Sequence, residues 1–265
     1  MIKHRATVAK PKKRDLFGVR VSVTNYASLT KWVMDCATRR ESRTVAHLPV
    51  HGIVTAVLRR RYRNRINGFD VVAPDGQPVR WALNLFHKAG LKERTYGPEF
   101  MLRVCAAEAA QEVGIYLYGS TPTVLAELRD HLVQRFPGLW IAGWESPPFR
   151  ELSPAEKKAA VKRIQDSGAG VVFIGLGCPR QELFAAAHRK EIPAVQVCVG
   201  AAFEIHAGLK PMAPRWMQRV GLEWFFRLAN EPQRLWRRYL VTNTVFVLLV
   251  LRQLLFVRHP AARSA

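Results

Sequence analysis

Acidic residues are scarce in this 265-residue chain, where 20 Asp+Glu against 41 Lys+Arg leave a formal charge of +21 with histidine neutral. Cysteine is sparse too. Cys36, Cys105, Cys178 and Cys198 are far apart and form no Cys-x-x-Cys unit for zinc or disulfide exchange, so reduced, cytosolic thiols are expected. No apolar run approaches the ~20 residues of a membrane span. The longest, residues 245–251, is closed by Arg252, and no transmembrane helix is expected there. The eight histidines show no His-Glu-x-x-His-like spacing, and Asp70 and Asp75 do not form an Asp-x-Asp pair. Metal and other cofactors are therefore not expected. Internal repeats and low-complexity segments are also missing. Residues 1–20 carry seven basic side chains (Lys3, Arg5, Lys10, Lys12, Lys13, Arg14 and Arg20) with no apolar stretch behind them. That pattern predicts a loose basic arm and not a secretory signal.

What is present is the composition of a folded body, 49% hydrophobic and 10% aromatic. The length suits one substantial core, or a core plus an appendage. A charge of this size on a folded body points to an anionic partner: nucleic acid, an anionic membrane surface or a phosphorylated small molecule.

Short apolar runs alternate with helical patterns, which predicts βαβ units and a mostly parallel sheet. Residues 114–119, 170–175 and 194–200 read as buried strands. Ser120-Thr121-Pro122 supplies a cap and a first-turn proline for a helix to about residue 136. Ser153-Pro154-Ala155-Glu156 is a capping box that opens another, ended by Ser167-Gly168. Residues 66–72 resemble a strand that runs into Pro74-Asp75-Gly76. A carboxylate at such a strand end projects into the crevice where open α/β sheets bind ligands. Pro-Asp-Gly is equally ordinary turn chemistry.

Gly175-Leu176-Gly177, between a strand and a helix, can cradle a phosphate or simply pack a turn; it lacks the third glycine of a dinucleotide fingerprint. Gln181 and Glu182 fall in the first turn of the following helix, near enough to face a ligand, although a glutamate there also suits the helix dipole. Toward the C-terminus, residues 215–258 hold eight arginines against Glu223 and Glu231, with Trp216, Trp224 and Trp236 among them. This is the composition of a peripheral membrane-surface element. Arg227, Arg234, Arg237 and Arg238 would share one face of a helix that Pro232 interrupts or starts. They can offset a diphosphate or form a lipid-facing stripe.

Taken together, six blocks carry a family resemblance. They are Asn67-Gly-Phe-Asp70-Val-Val-Ala-Pro74-Asp75-Gly76, Glu93-Arg94-Thr-Tyr-Gly97, Tyr118-Gly119-Ser120, the stretch from Gly175 to Glu182, Val199-Gly200-Ala-Ala-Phe203 with Ala207-Gly208, and the stretch from Gly221 to Tyr239. In this order they resemble the WecG/TagA/CpsF glycosyltransferases, glycosyltransferase family 26, over roughly residues 44–240. The resemblance implies an inverting transferase that moves a sugar of the N-acetylmannosamine, N-acetylmannosaminuronate or glucose type. The donor would be a UDP-sugar and the acceptor a polyprenyl-diphosphate-linked sugar, at the cytoplasmic face of the membrane during surface or exopolysaccharide assembly. It implies Asp75 as general base, Arg94 and Gln181 in the donor pocket, and Arg227, Arg234 and Arg237 on an appendage that closes over the site. Asp70 would support the fold. One departure stands out: many members have Thr-x-Asn where this chain has His47-Leu48-Pro49, and His51 follows where some relatives place a histidine.

The expected architecture is thus a Rossmann-like, mostly parallel α/β sheet with flanking helices, plus a C-terminal helical membrane-associating appendage. Its expected parts are a basic arm (1–20), a catalytic domain (21–212) and a Trp-rich appendage (213–265). The substrate-binding candidates are His47, His51, Arg94, Gly175, Gly177, Gln181, Glu182, Arg227, Arg234 and Arg237, around Asp75. A non-enzymatic nucleic-acid-binding protein explains the charge but not these blocks, so no nucleic acid is expected. A transferase with a soluble acceptor would not need residues 221–265. A homo-oligomer is compatible with the appendage's apolar face.

Overall fold

The computed structural model describes residues 7–256. The chain opens with β1 (Lys13–Leu16), β2 (Val19–Ser22), α1 (Tyr26–Thr38), β3 (Arg43–Leu48), α2 (Val50–Leu58), α3 (Arg60–Gly68), β4 (Val71–Pro74), α4 (Gln77–His87) and α5 (Gly97–Glu108). Strand and helix then alternate: β5 (Ile115–Gly119), α6 (Pro122–Arg135), β6 (Ile141–Glu145), α7 (Pro154–Asp166), β7 (Val171–Gly175), α8 (Arg180–Ala187), β8 (Val195–Cys198) and α9 (Ala202–His206). Three helices follow, α10 (Arg215–Val220), α11 (Glu223–Asn230) and α12 (Pro232–Phe256).

Six strands form one sheet in the order β4-β3-β8-β7-β5-β6, every neighbour parallel. The expected α/β architecture is the one observed. Alternate side chains divide the core between the two faces. Val45, Val71, Leu117, Phe173 and Val197 pack with α1, α5, α6 and α9 on one side. Leu48, Val72, Tyr118, Ile174 and Cys198 pack with α2, α3, α4, α7 and α8 on the other. Both predicted caps are in place. The Thr121 hydroxyl accepts from the Val124 amide at 3.3 Å, and Ser153 and Glu156 form a reciprocal capping box. Gly119 and Gly175 face each other where β5 and β7 end. A Cβ on Gly119 would stand 2.6 Å from the Gly175 carbonyl carbon, so that tip of the sheet closes only with a glycine there.

Four features differ from expectation. Lys3 and Arg5 of the basic arm lie outside the described residues, but β1 and β2 form a hairpin that crosses its residue-20 limit. Leu16, Val19 and Val21 are buried against the second core face, so three inward apolar side chains anchor a ribbon that its charge disguises. Residues 66–68 finish α3 and do not begin a strand, because Tyr62 and Ile66, one helical turn apart, bury the same edge. The edge strand β6, half-exposed and with its pairing to β5 shifted at Ala142, was not expected. Lastly, α12 carries helix straight through Thr242, Asn243 and Thr244. Among the described residues it is the one helix long and apolar enough, by length and composition, to cross a membrane. It lies along α2, burying Leu235, Thr242 and Phe246 and leaving most of its apolar surface open.

Asp70 sits at the opposite end of β4 from the strand tips that form the crevice. Its carboxylate accepts from Lys10 (3.1 Å), Arg189 (2.9 Å) and the Thr44 amide (3.0 Å). Burial acts to raise its pKa, but these partners outweigh it and hold the group below the usual carboxylate range. It ties the hairpin approach and two strand starts together.

Candidate active site

The carboxyl ends of the strands, where open parallel sheets hold ligands, border a cavity of about 590 Å³. Each tip contributes through the loop that follows it. β3 delivers His47 and, at the start of α2, His51. β4 delivers Asp75 and β7 the Gly175–Gln181 turn, while β8 is followed by Val199 and Gly200. The last helices cover the opening with Glu223, Arg227, Arg234, Arg238 and Tyr239.

Asp75 follows β4 directly, and its amide bonds to the Leu48 carbonyl at 3.3 Å, fixing it to the neighbouring strand. Its side chain keeps a partial opening toward the cavity, while Oδ1 is closed from water and has no hydrogen-bond partner. Burial drives its pKa up to about 7, against the opposing pull of Arg94. A carboxyl group poised there can accept a proton near neutral pH.

Arg94 is buried beneath the C-terminal helices. Its guanidinium pairs with Glu223, donates to Gln218 Oε1 at 3.2 Å and lies 4.2 Å from the Tyr96 ring centroid. Gln77 Nε2 donates to the Gln218 carbonyl at 3.1 Å, a further tie between α10 and the sheet tips. The two histidines are neutral at physiological pH. Burial lowers His47 to about 4, and burial with Arg238 and Arg227 nearby lowers His51 to about 4. With His47 Nδ1 3.2 Å from the Cys198 carbonyl, that nitrogen carries the proton and Nε2, buried and unpartnered, is left as an acceptor.

Gln181 is clamped at both ends of its amide. Oε1 accepts from the Gly200 amide at 3.0 Å, and Nε2 donates to Glu182 Oε1 at 2.7 Å. One N–H of Gln181 remains for the cavity. Glu182 itself is fully buried behind Gln181, and burial raises its pKa.

Of the sequence candidates, His47, His51, Asp75, Arg94, Gly175, Gly177, Gln181, Arg227 and Arg234 thus converge on a single cavity. Glu182 and Arg237 do not. Pro232 starts a new helix, so Arg227 belongs to α11 and the other three arginines to α12. Arg234 and Arg238, four residues apart, both border the cavity at its solvent-exposed rim, Arg234 with its Nε donating to Glu231 Oε2 at 2.5 Å, whereas Arg237 lies off the cavity and stacks on Trp236 at 5.0 Å. Arg238, in the stripe but not among the chosen residues, replaces it. Glu223 was missed; its position one helical turn before Arg227 is the signal that places both on the cavity side of α11. Among the described residues no group of three or more His, Cys, Asp or Glu is arranged to hold a metal ion.

The model of the glycosyl transferase WecG/TagA/CpsF family matches residues 14–260. The chain is 30% identical over 181 residues to an N-acetylglucosaminyldiphosphoundecaprenol N-acetyl-beta-D-mannosaminyltransferase of Bacillus spizizenii (strain ATCC 23059 / NRRL B-14472 / W23), covering 68% of each protein. It is 28% identical over 186 residues to the enzyme of the same name from Bacillus subtilis (strain 168), covering 70% of each.

Proposed function

The chain belongs to the WecG/TagA/CpsF glycosyl transferase family, and from that premise we propose that it moves an N-acetylmannosamine-type sugar from a UDP-sugar to a polyprenyl-diphosphate-linked sugar with inversion at the anomeric carbon. The observation that carries this reading is one buried carboxyl of raised pKa in a cavity that also holds Arg94, Arg227, Arg234 and Arg238. Asp75 takes the proton from the acceptor hydroxyl as its oxygen forms a bond to the anomeric carbon. The bond from that carbon to the diphosphate oxygen breaks on the opposite face, and UDP leaves with the electron pair. The guanidinium groups stabilise charge that grows on the leaving diphosphate, most strongly at the buried Arg94, where water is excluded, and less at Arg234 and Arg238 on the solvent-exposed rim. The acceptor's lipid would be reached at the cytoplasmic membrane face, with the exposed outer side of α12 seated at the surface.

The test is transfer to N-acetylglucosaminyl-diphosphate on a short polyprenyl chain, followed by mass spectrometry and by NMR of the new linkage. A disaccharide of inverted configuration from UDP-N-acetylmannosamine is expected. Retention of configuration would remove the single-displacement mechanism, and absence of transfer from any UDP-hexose would remove the donor assignment.

In this reading Gln181 contacts the donor and Glu182 holds it in place. Glu182→Gln keeps an oxygen that can accept from Gln181 and should leave the donor KM within about twofold. Glu182→Leu frees the Gln181 amide and should raise that KM by about tenfold, the equivalent of one lost hydrogen bond. The leucine variant should add nothing in a Gln181→Ala background. An independent further loss there would show that Glu182 acts otherwise than through Gln181.

A further inference from the structure

One strongly charged surface takes no part in this chemistry. α3 carries Arg60, Arg61, Arg63 and Arg65, with Arg59 at its N-cap. At about 100° per residue, Arg60 and Arg61 point away from the buried Tyr62 and Ile66, and Arg65 lies on the flank next to Arg61. Arg59, Arg60, Arg61 and Arg65 are exposed, and none of the five arginines has a carboxylate partner among the described residues.

Helix stability does not account for this arrangement. Arg59, Arg60 and Arg61 crowd the positive end of the helix dipole, with no acid in the first turn and no side-chain cap. Arg61 and Arg65 repel each other at i,i+4. An external anion would relieve both penalties.

The position of α3 indicates which anion. A Cβ on Gly18, in the turn between β1 and β2, would stand 3.4 Å from Arg63 Nη1, and the adjacent Phe17 packs edge-on against Phe246 of α12 with ring centroids 5.6 Å apart. α3 and the middle of α12 therefore flank the same hairpin turn. Just beyond Phe246, the α12 residues Val247, Leu248 and Leu251 are each about half-exposed, and Leu58, which leads into α3, is 63% exposed. Apolar surface beside unpaired arginines matches the boundary of an anionic bilayer. Single-stranded nucleic acid would call for exposed aromatic platforms, and the one aromatic residue of α3, Tyr62, is buried.

We propose that α3 is a second lipid contact, in which Arg60, Arg61 and Arg65 bind headgroup phosphates of the bilayer that receives the outer face of α12. This rests on the membrane part of the proposed function and extends the contact beyond the C-terminal helices.

The test is co-sedimentation of the full chain with vesicles rich in phosphatidylglycerol or made of phosphatidylcholine alone. Each basic side chain near an anionic surface contributes about 1 kcal/mol, so the triple variant R60Q/R61Q/R65Q should lose on the order of a hundredfold in partitioning to the anionic vesicles. Its Tm should not fall, because glutamine keeps helix propensity and the repulsion is gone. Transfer to a water-soluble acceptor analogue should be unchanged. Leu248→Ser with Leu251→Ser should instead weaken binding to both vesicle types. If the wild type bound anionic vesicles and the triple variant bound them equally well, α3 would have no lipid role. Wild-type protein that ignored all vesicles would overturn the membrane placement together with this proposal. Preferential binding of a single-stranded oligonucleotide, lost in the triple variant, would reassign α3 to nucleic acid.

Discussion

Asp75→Asn is expected to slow sugar transfer by about 10²- to 10⁴-fold, the usual contribution of a positioned general base, while making the folded protein more stable above neutral pH. The two effects share one cause. Burial raises the carboxyl from 3.8 to about 7, so the folded protein holds this proton more tightly than the unfolded chain does. Below the unfolded value the group is neutral in both states and costs nothing. As pH rises toward 7 the unfolded chain gains by ionising and the folded one does not, so stability falls until the folded group ionises as well. At about 1.4 kcal/mol per unit the penalty approaches 4 kcal/mol above pH 7 as an upper bound, because the buried oxygen can also relax. Asparagine removes the titration but keeps the shape. Urea unfolding should show the variant ahead of wild type at pH 8 and level with it near pH 4. In the wild type, kcat/KM should decline about tenfold per unit below roughly pH 7. An unaltered rate in the variant would remove Asp75 from the chemistry, and an equal stability difference at both pH values would show that its burial does not suppress ionisation.

The parts of this molecule that were legible beforehand are those where local chemistry and tertiary environment agree. Residues 115–119 and 171–175 are apolar throughout because both sheet faces are covered, and the Ser153–Glu156 box is a self-contained reciprocal bond. Asp75 could be placed because a strand end dictates where its side chain emerges. The misses arise where charge masks packing. In the hairpin, Lys13, Arg14 and Arg20 lie among Leu16, Val19 and Val21, and in α3 only Tyr62 and Ile66 betray a buried edge among five nearby arginines. Glu182 shows a further limit. Its place in the first turn of α8 was visible, but whether it faced the ligand or the core depended on how α8 packs against the sheet. Arg237 differs from Arg238 by one position, which on a helix is enough to exchange the cavity for the outer surface.

Arg94→Met should abolish detectable transfer and also loosen the C-terminal helices, and the two losses can be separated. Arg94 and Glu223 are both largely buried, and breaking such a pair by removing one partner costs about 3–5 kcal/mol because the other charge is left without compensation. The least costly escape for Glu223 is to withdraw to water, carrying α11 with it and opening the Gly221 turn to protease. The double variant R94M/E223Q has no stranded carboxylate, so its helices should dock and resist cleavage while transfer stays lost. Glu223→Gln alone separates two roles for the acid. Its carboxylate occupies the guanidinium that, in the proposed reaction, would face the donor diphosphate, so the two anions compete for Arg94. Removing the competitor should lower the donor KM several-fold and leave Asp75 its base. An increased KM, together with faster cleavage near Gly221, would instead show that Glu223 holds Arg94 in its working position. The distinction is whether the acid keeps the arginine ready for phosphate or keeps it from phosphate, and steady-state kinetics on the single variant decides it.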